Sequence, residues 1–453
     1  MSGPKVVRIV TREEILAICE GQLRQLDQAI TQWTAQCGEM GELSDAEASA
    51  TRERRRVLAE LLKQDAFIDL QKRVPEEIAF LKADALRRER LAIERAAAAR
   101  QRGRRGQENA ATLLNVLKAR GTNVPDELKK QLESIACGEG ADHVDALLAQ
   151  GFNLLATEQK SALTAAQRDL ANRLAEPNEG QSFEAWKARN KPTSPVDMLL
   201  ERVDAQIAEA ETILGREETA TYLTRLRSME SEPNEARRKL LLDSLILDVS
   251  KGIETARVRR SAIEQLAEIA VQIEPFISEA STSLRAQAAA CTGATPISTL
   301  TALVEQCQTL LESELRRKAA EARREVILQG LAQLGYEVHE GMATAWATDG
   351  RVVLRKSSLP GYGVEIGGQA ESSRLQVRAV ALTSDRDTNR DKDVETIWCG
   401  EFARLQQLVT ENGNGLLIER AMGIGQVPLK VVDDTRQISE SIDNRKLSSR
   451  RVI

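Results

Sequence analysis

The stretch REEILAICEGQLRQLDQAITQWTAQCGEM, residues 12–40, sets Leu16, Cys19, Leu23, Leu26, Ile30, Trp33, Cys37 and Met40 in an unbroken alternation of threes and fours. On an α-helix that spacing lines the side chains up on one stripe, the pattern of a heptad seam. Thr11 and Glu14 have the spacing of a capping box, and Gly38 to Ser44 supplies a stop, so a helix is expected over 12–37.

The same reading extends along the chain. From Asp45 to about Arg120 a helical pattern continues, with Leu58, Leu61, Leu62 and Ile68 on one face, Pro75 as a restart or kink, and Gly103 and Gly106 as breaks. Residues 110–175 read as short amphipathic helices divided at Gly121 to Pro125, Gly138 to Gly140 and Gly151, with Phe152 and Leu154 in their core. A polar linker follows at Glu176 to Gly180 and Asn190 to Pro195. Two further seams run through Val196, Leu200, Val203, Ile207, Ala210 and Leu214, and through Leu242, Leu245, Val249, Gly252, Ala256, Ile263, Leu266 and Ile273. A last helix reaches about Gln333.

After Leu334-Gly335 the period changes to two. Strands are expected over 336–348, 351–356, 362–366 and 374–382, a helix over 391–412, and strands over 416–419 and 427–432. The resulting fold class is mostly α: antiparallel helical or coiled-coil hairpins with a small C-terminal α+β domain, an antiparallel sheet with helices on one face. The expected divisions are an N-terminal heptad helix (1–44), a charged Arg-rich helical segment (45–109), a compact helical subdomain and linker (110–190), a helical coiled-coil hairpin region (191–334), the α+β domain (335–432) and a polar tail (433–453).

Composition agrees with this. Aromatic residues make up 3% and charged residues 29% of 453 positions, a balance suited to long helices packed on aliphatic seams. The formal net charge of -5 mixes blocks of both signs and points to no partner class. Six cysteines without a CxxC pair and two histidines argue against a zinc site, and no cofactor or metal is expected. No apolar run reaches the roughly 18 residues of a membrane span, so a reduced cytoplasmic protein with free thiols is expected.

Little chemistry stands out. Residues 87–105 hold Arg87, Arg88, Arg90, Arg95, Arg100, Arg102, Arg104 and Arg105 against Glu89 and Glu94. Such a helix either neutralises phosphates or presents a solvated or partner-facing surface, and the lack of interleaved aromatics favours the second. The loop Asp385 to Asp393 alternates oxygen ligands as a calcium loop does, but Arg390 stands where such a loop needs glycine and Thr396 where it needs glutamate. Gly361-Tyr362-Gly363 and Gly423-Ile424-Gly425 read as turns. Cys399, beside Trp398 on an apolar helix face, reads as a structural thiol, with His339 the only candidate base.

The order of elements over about residues 316–432 resembles the secretion-chaperone type of α+β domain, which implies protein partners and dimerisation. The whole chain also resembles accessory coiled-coil proteins of bacterial defence or stress loci.

The leading expectation is a non-enzymatic scaffold or adaptor. Self-association would use a seam of Leu16, Leu23, Leu26, Ile30, Trp33, Val203, Ile207, Leu242, Leu245 and Val249, and a protein partner would bind the α+β domain. A second reading is a nucleic-acid-associated accessory subunit of a larger bacterial complex. It would use Arg87, Arg88, Arg95, Arg100, Arg102, Arg104 and Arg105, aided by the basic tail Arg445, Lys446, Arg450 and Arg451. A third is an enzyme with a site in the C-terminal domain.

Overall fold

The computed structural model describes residues 4–41, 43–138, 143–162, 195–368 and 373–432. The linker expected at 176–180 and 190–195, up to residue 194, and the tail from Asp433 lie outside the described residues.

The fold is mostly α with a small α+β domain, as the sequence predicts. Its helices are α1 (Arg12–Glu39), α2 (Asp45–Lys63), α3 (Phe67–Arg120), α4 (Asp126–Ala136), α5 (Val144–Ala162), α6 (Pro195–Leu214), α7 (Arg216–Glu230), α8 (Glu235–Ile273), α9 (Glu279–Ala289), α10 (Ile297–Gln333), α11 (Met342–Asp349) and α12 (Asp391–Glu411). The strands are β1 (Lys5–Val10), β2 (Arg351–Arg355), β3 (Tyr362–Gly367), β4 (Arg374–Ala381), β5 (Gly415–Ala421) and β6 (Lys430–Val431). No described helix is long and apolar enough to cross a membrane.

The chain divides into two compact units. One comprises Met1–Thr34, Ser44–Leu81 and Ala262–Ile453, the other Ala35–Leu43 and Lys82–Ser261. In the second unit, Val203, Ile207 and Ala210 of α6 share a core with Leu226 of α7 and Leu242, Leu245 and Val249 of α8. A separate small core joins Ala110, Leu113 and Leu117 of α3 to Leu128 and Leu132 of α4 and Leu148 of α5. Leu154 packs against it, whereas Phe152, expected inside, is 45% exposed. Its neighbour Gly151 takes the inward position, where a Cβ would stand 2.4 Å from Leu113.

The first unit carries the sheet. Its order is β2-β3-β4-β1-β5, antiparallel throughout, with β6 adding a short parallel pair on β4. Val7, Ile9, Val352, Leu354, Val364, Ile366, Leu375, Val377 and Leu416 turn one face of it onto α10, α11 and α12, where Leu331, Trp346, Trp398, Phe402 and Leu405 complete the core. Helix α10 comes close to α12 at Gly330, where a Cβ would meet the Leu405 side chain at 2.5 Å. Within this unit the α1 seam is occupied by the chain itself. Cys19, Leu23, Leu26 and Trp33 are buried and Leu16 and Ile30 half-buried. Flanking polar contacts reach α2 (Arg55 to Asp27, 2.7 Å), α8 (Gln25 to Glu268, 3.1 Å) and α10 (Arg323 to Glu14, 2.5 Å).

Three further local expectations differ from the structure. The segment 336–348, expected as a strand, is a loop followed by α11, because left-handed glycines at Gly341 and Gly350 bracket one short helix whose Trp346 fills the core. Gly103 and Gly106 do not interrupt α3, since their helical cost of about 1 kcal/mol each is small beside the packing and ion pairs on the same helix. An inner strand of the sheet, β1, is not expected from the sequence; of its six residues of alternating burial, four pair with β4 and all six with β5.

Candidate functional site: a cationic open sheet face

Alternation along each strand puts every second residue on the face away from the helices. Cross-strand register then fixes which of these residues share that face: Arg351, Val353 and Arg355 of β2; Gly363, Glu365 and Gly367 of β3; Arg374, Gln376, Arg378 and Val380 of β4; and Val6, Arg8 and Val10 of β1. On β5, Leu417 lies opposite Arg8 and Arg420 opposite Val6, while a register shift between Val6 and Val7 leaves Glu419 as the extra residue. Glu419 reaches Arg374 at 2.9 Å. Lys430 of β6 joins the same face through Glu365.

The resulting charge is one-sided. Arg8, Arg351, Arg355, Arg374, Arg378, Arg420 and Lys430 are seven cations set against the two carboxylates Glu365 and Glu419. Glu365 is the organising group. It is 3% exposed and takes Arg378 at 2.5 Å, Lys430 at 2.8 Å and Arg351 at 3.9 Å. Burial pushes its carboxyl up, but the hydrogen bonds from Lys430 and Arg378 outweigh that and hold it below the usual glutamate range. One carboxylate thus fixes three cations while neutralising only one charge.

The face is open. Arg8, Gln376 and Arg420 are exposed, the Arg374 side chain is 66% exposed, and a Cβ built at Gly367 would meet nothing within 4 Å. Leu417, 64% exposed, stands on it beside Arg8 at the outer strand β5. Guanidinium forks spaced by the roughly 4.8 Å between strands suit bidentate capture of carboxylates along an extended chain. No aromatic ring stands among the described residues of this face, since Tyr336, Tyr362, Trp346, Trp398 and Phe402 all belong to the core on the opposite side.

The arginines of 87–105 belong to the second unit and many serve internal ion pairs. Arg87 and Arg88 both reach Asp84 at 2.7 Å, the latter from a buried position. Arg100 reaches Asp204 at 3.4 Å and Glu211 at 3.3 Å, and Arg104 reaches Asp204 at 2.5 Å and Glu230 at 2.6 Å, tying α3 to α6 and α7. Arg95, Arg102 and Arg105 are exposed, and Arg102 donates to the carbonyl of Ala98 on its own helix.

The remaining candidates resolve differently. In the 385–393 loop, Asp391 takes Arg386 at 2.9 Å and the Tyr362 hydroxyl at 3.1 Å, and Asp387 caps the short helical turn Thr388–Arg390. Among the described residues no group of three or more His, Cys, Asp or Glu converges as metal ligands would. His339 is exposed on the loop before α11, and Cys399 has Lys5 as a hydrogen-bond neighbour at 3.9 Å.

Sequence reasoning missed the sheet face. The local signal, polar side chains at the alternate positions Arg374, Gln376 and Arg378, was present. Its sum depends on a strand order that brings Arg8 beside Arg374, which no local pattern encodes.

Comparison of the chain with protein-family models, with curated proteins and with solved structures finds no match.

Proposed function

We propose that the protein is a non-enzymatic adaptor whose helical units serve as scaffold and whose open sheet face docks an acidic segment of a protein partner. The observation that carries this reading is the surplus of arginine and lysine over carboxylate on a sheet face that also presents the exposed Leu417 and the half-buried Val6 and Val10. Cations mixed with aliphatic side chains suit a peptide of acidic and apolar residues. A single-stranded nucleic acid would call for rings on which bases stack, and the face has none among its described residues. Of the seam residues named above, all but the half-buried Leu16 and Ile30 lie buried within one chain, so partner binding is assigned to the sheet.

The test is fluorescence anisotropy with a labelled peptide alternating glutamate and leucine, titrated at several salt concentrations. Binding that weakens steeply with salt is expected, together with a loss of at least tenfold in the triple variant Arg8→Glu, Arg374→Glu, Arg420→Glu. Absence of binding at low salt overturns the proposal. Tighter binding of a single-stranded RNA of equal charge, abolished by the same variant, would reassign the face to nucleic acid.

A further inference from the structure

A second group lies on the opposite side of the same sheet. Lys5 points from β1 into the core and is 2% exposed. Its nitrogen makes no ion pair among the described residues: it stands 3.9 Å from the Sγ of Cys399 and 4.7 Å from the centroid of the Phe402 ring. An ammonium without a carboxylate partner is costly to bury, and the usual outcome is loss of its proton. Burial accordingly lowers the Lys5 pKa, with weaker opposing pulls from Cys399 and Glu395. Held against a thiol, the Lys5 amine is a nucleophile in place once it has lost its proton. Cys399 on α12 is half-buried and Lys5 buried, so oxidation of the pair starts at the thiol.

We propose that Lys5 and Cys399 form an oxidant-sensitive covalent latch, in which hydrogen peroxide converts the pair to a sulfenamide that ties β1 to α12. In the first step the Cys399 sulfur attacks one peroxide oxygen and the O–O bond breaks. The departing hydroxide takes the thiol proton and leaves as water, so the sulfur is oxidised by two electrons to the sulfenic acid and the peroxide is reduced. In the second step the Lys5 nitrogen attacks that sulfur and the S–O bond breaks. The hydroxide takes one amine proton and leaves as a second water. The product is an S–N bond between two residues 394 positions apart, and a thiol reductant restores both side chains.

The experiment treats the full chain with hydrogen peroxide, quenches it, and digests it with trypsin without reductant for mass spectrometry. Expected are loss of cleavage after Lys5 and a linked peptide pair lighter by two hydrogen atoms than its separate parts, both reversed by dithiothreitol. The oxidised wild-type chain should also melt at a higher temperature than the reduced chain, a readout that needs no variant. Cys399→Ser should form no link, and in Lys5→Arg the oxidation should run on to the sulfinic acid. Cys399 found as sulfinic acid with Lys5 still cleaved, a linked pair that retains an extra oxygen, or an unreacted Cys399 would each overturn the proposal.

Discussion

Replacing Glu365 with glutamine leaves Arg378, Lys430 and Arg351 gathered around a neutral amide, and breaking a buried ion cluster from one side costs roughly 3 kcal/mol. The carboxyl titrates lower in the folded chain than in the unfolded one, so its contribution is complete above the ordinary glutamate range and is lost as pH falls through the lowered value. Urea denaturation between pH 2 and 7, at roughly one-unit steps, should therefore give Glu365→Gln a flatter acid limb than wild type. Lys5 has the opposite sign. With its pKa lowered by burial, the unfolded chain binds more protons between that value and the ordinary lysine range, so stability rises with pH across this window. Lys5→Met should abolish the rise and add about 1–3 kcal/mol at neutral pH, measured by the same denaturation. At this scale the sequence placed Cys399 on an apolar helix face, which the structure bears out for its neighbours Trp398 and Phe402. It offered His339 as the companion, because a lysine five residues into the chain carries no local sign that it will lie in a core.

Among the elements, helices were legible wherever the apolar period was long and unbroken. The expected 12–37 is the observed Arg12–Glu39, because one stripe from Leu16 to Cys37 has only one way to be buried. Short elements were not. The period-two reading of 336–348 failed because Met342, Ala343, Ala345 and Trp346 fit a turn of helix equally well, and the glycines on either side decide the matter by adopting left-handed backbone that ends it. Gly330 illustrates what spacing cannot reveal. It lies on α10 where the Leu405 side chain of α12 leaves no room for a Cβ, so Gly330→Val should force these helices apart and cost roughly 1–3 kcal/mol. Thermal denaturation followed by tryptophan fluorescence would report it, since Trp398 lies on α12 in the same core.

For the molecule as a whole, the sheet is complete only with a strand drawn from the start of the chain. A fragment of residues 316–432 lacks β1 and leaves β4 and β5 without their shared neighbour. It should show little cooperative unfolding by circular dichroism alone, and should gain it when a peptide of residues 4–11 is added. The order β4-β1-β5 thus draws one strand of this sheet from outside residues 335–432. The same topology has a consequence in time. Arg8 pairs with Arg374, so on a ribosome adding about 5–20 residues per second the Val-Val-Arg-Ile-Val segment waits roughly 20–70 s before its first neighbour exists. Throughout that interval a short apolar strand with both edges unpaired is on offer to any other chain. Nascent-chain aggregation and the demand for a chaperone should accordingly be governed by this one strand, and slowing translation ahead of residue 374 should worsen both.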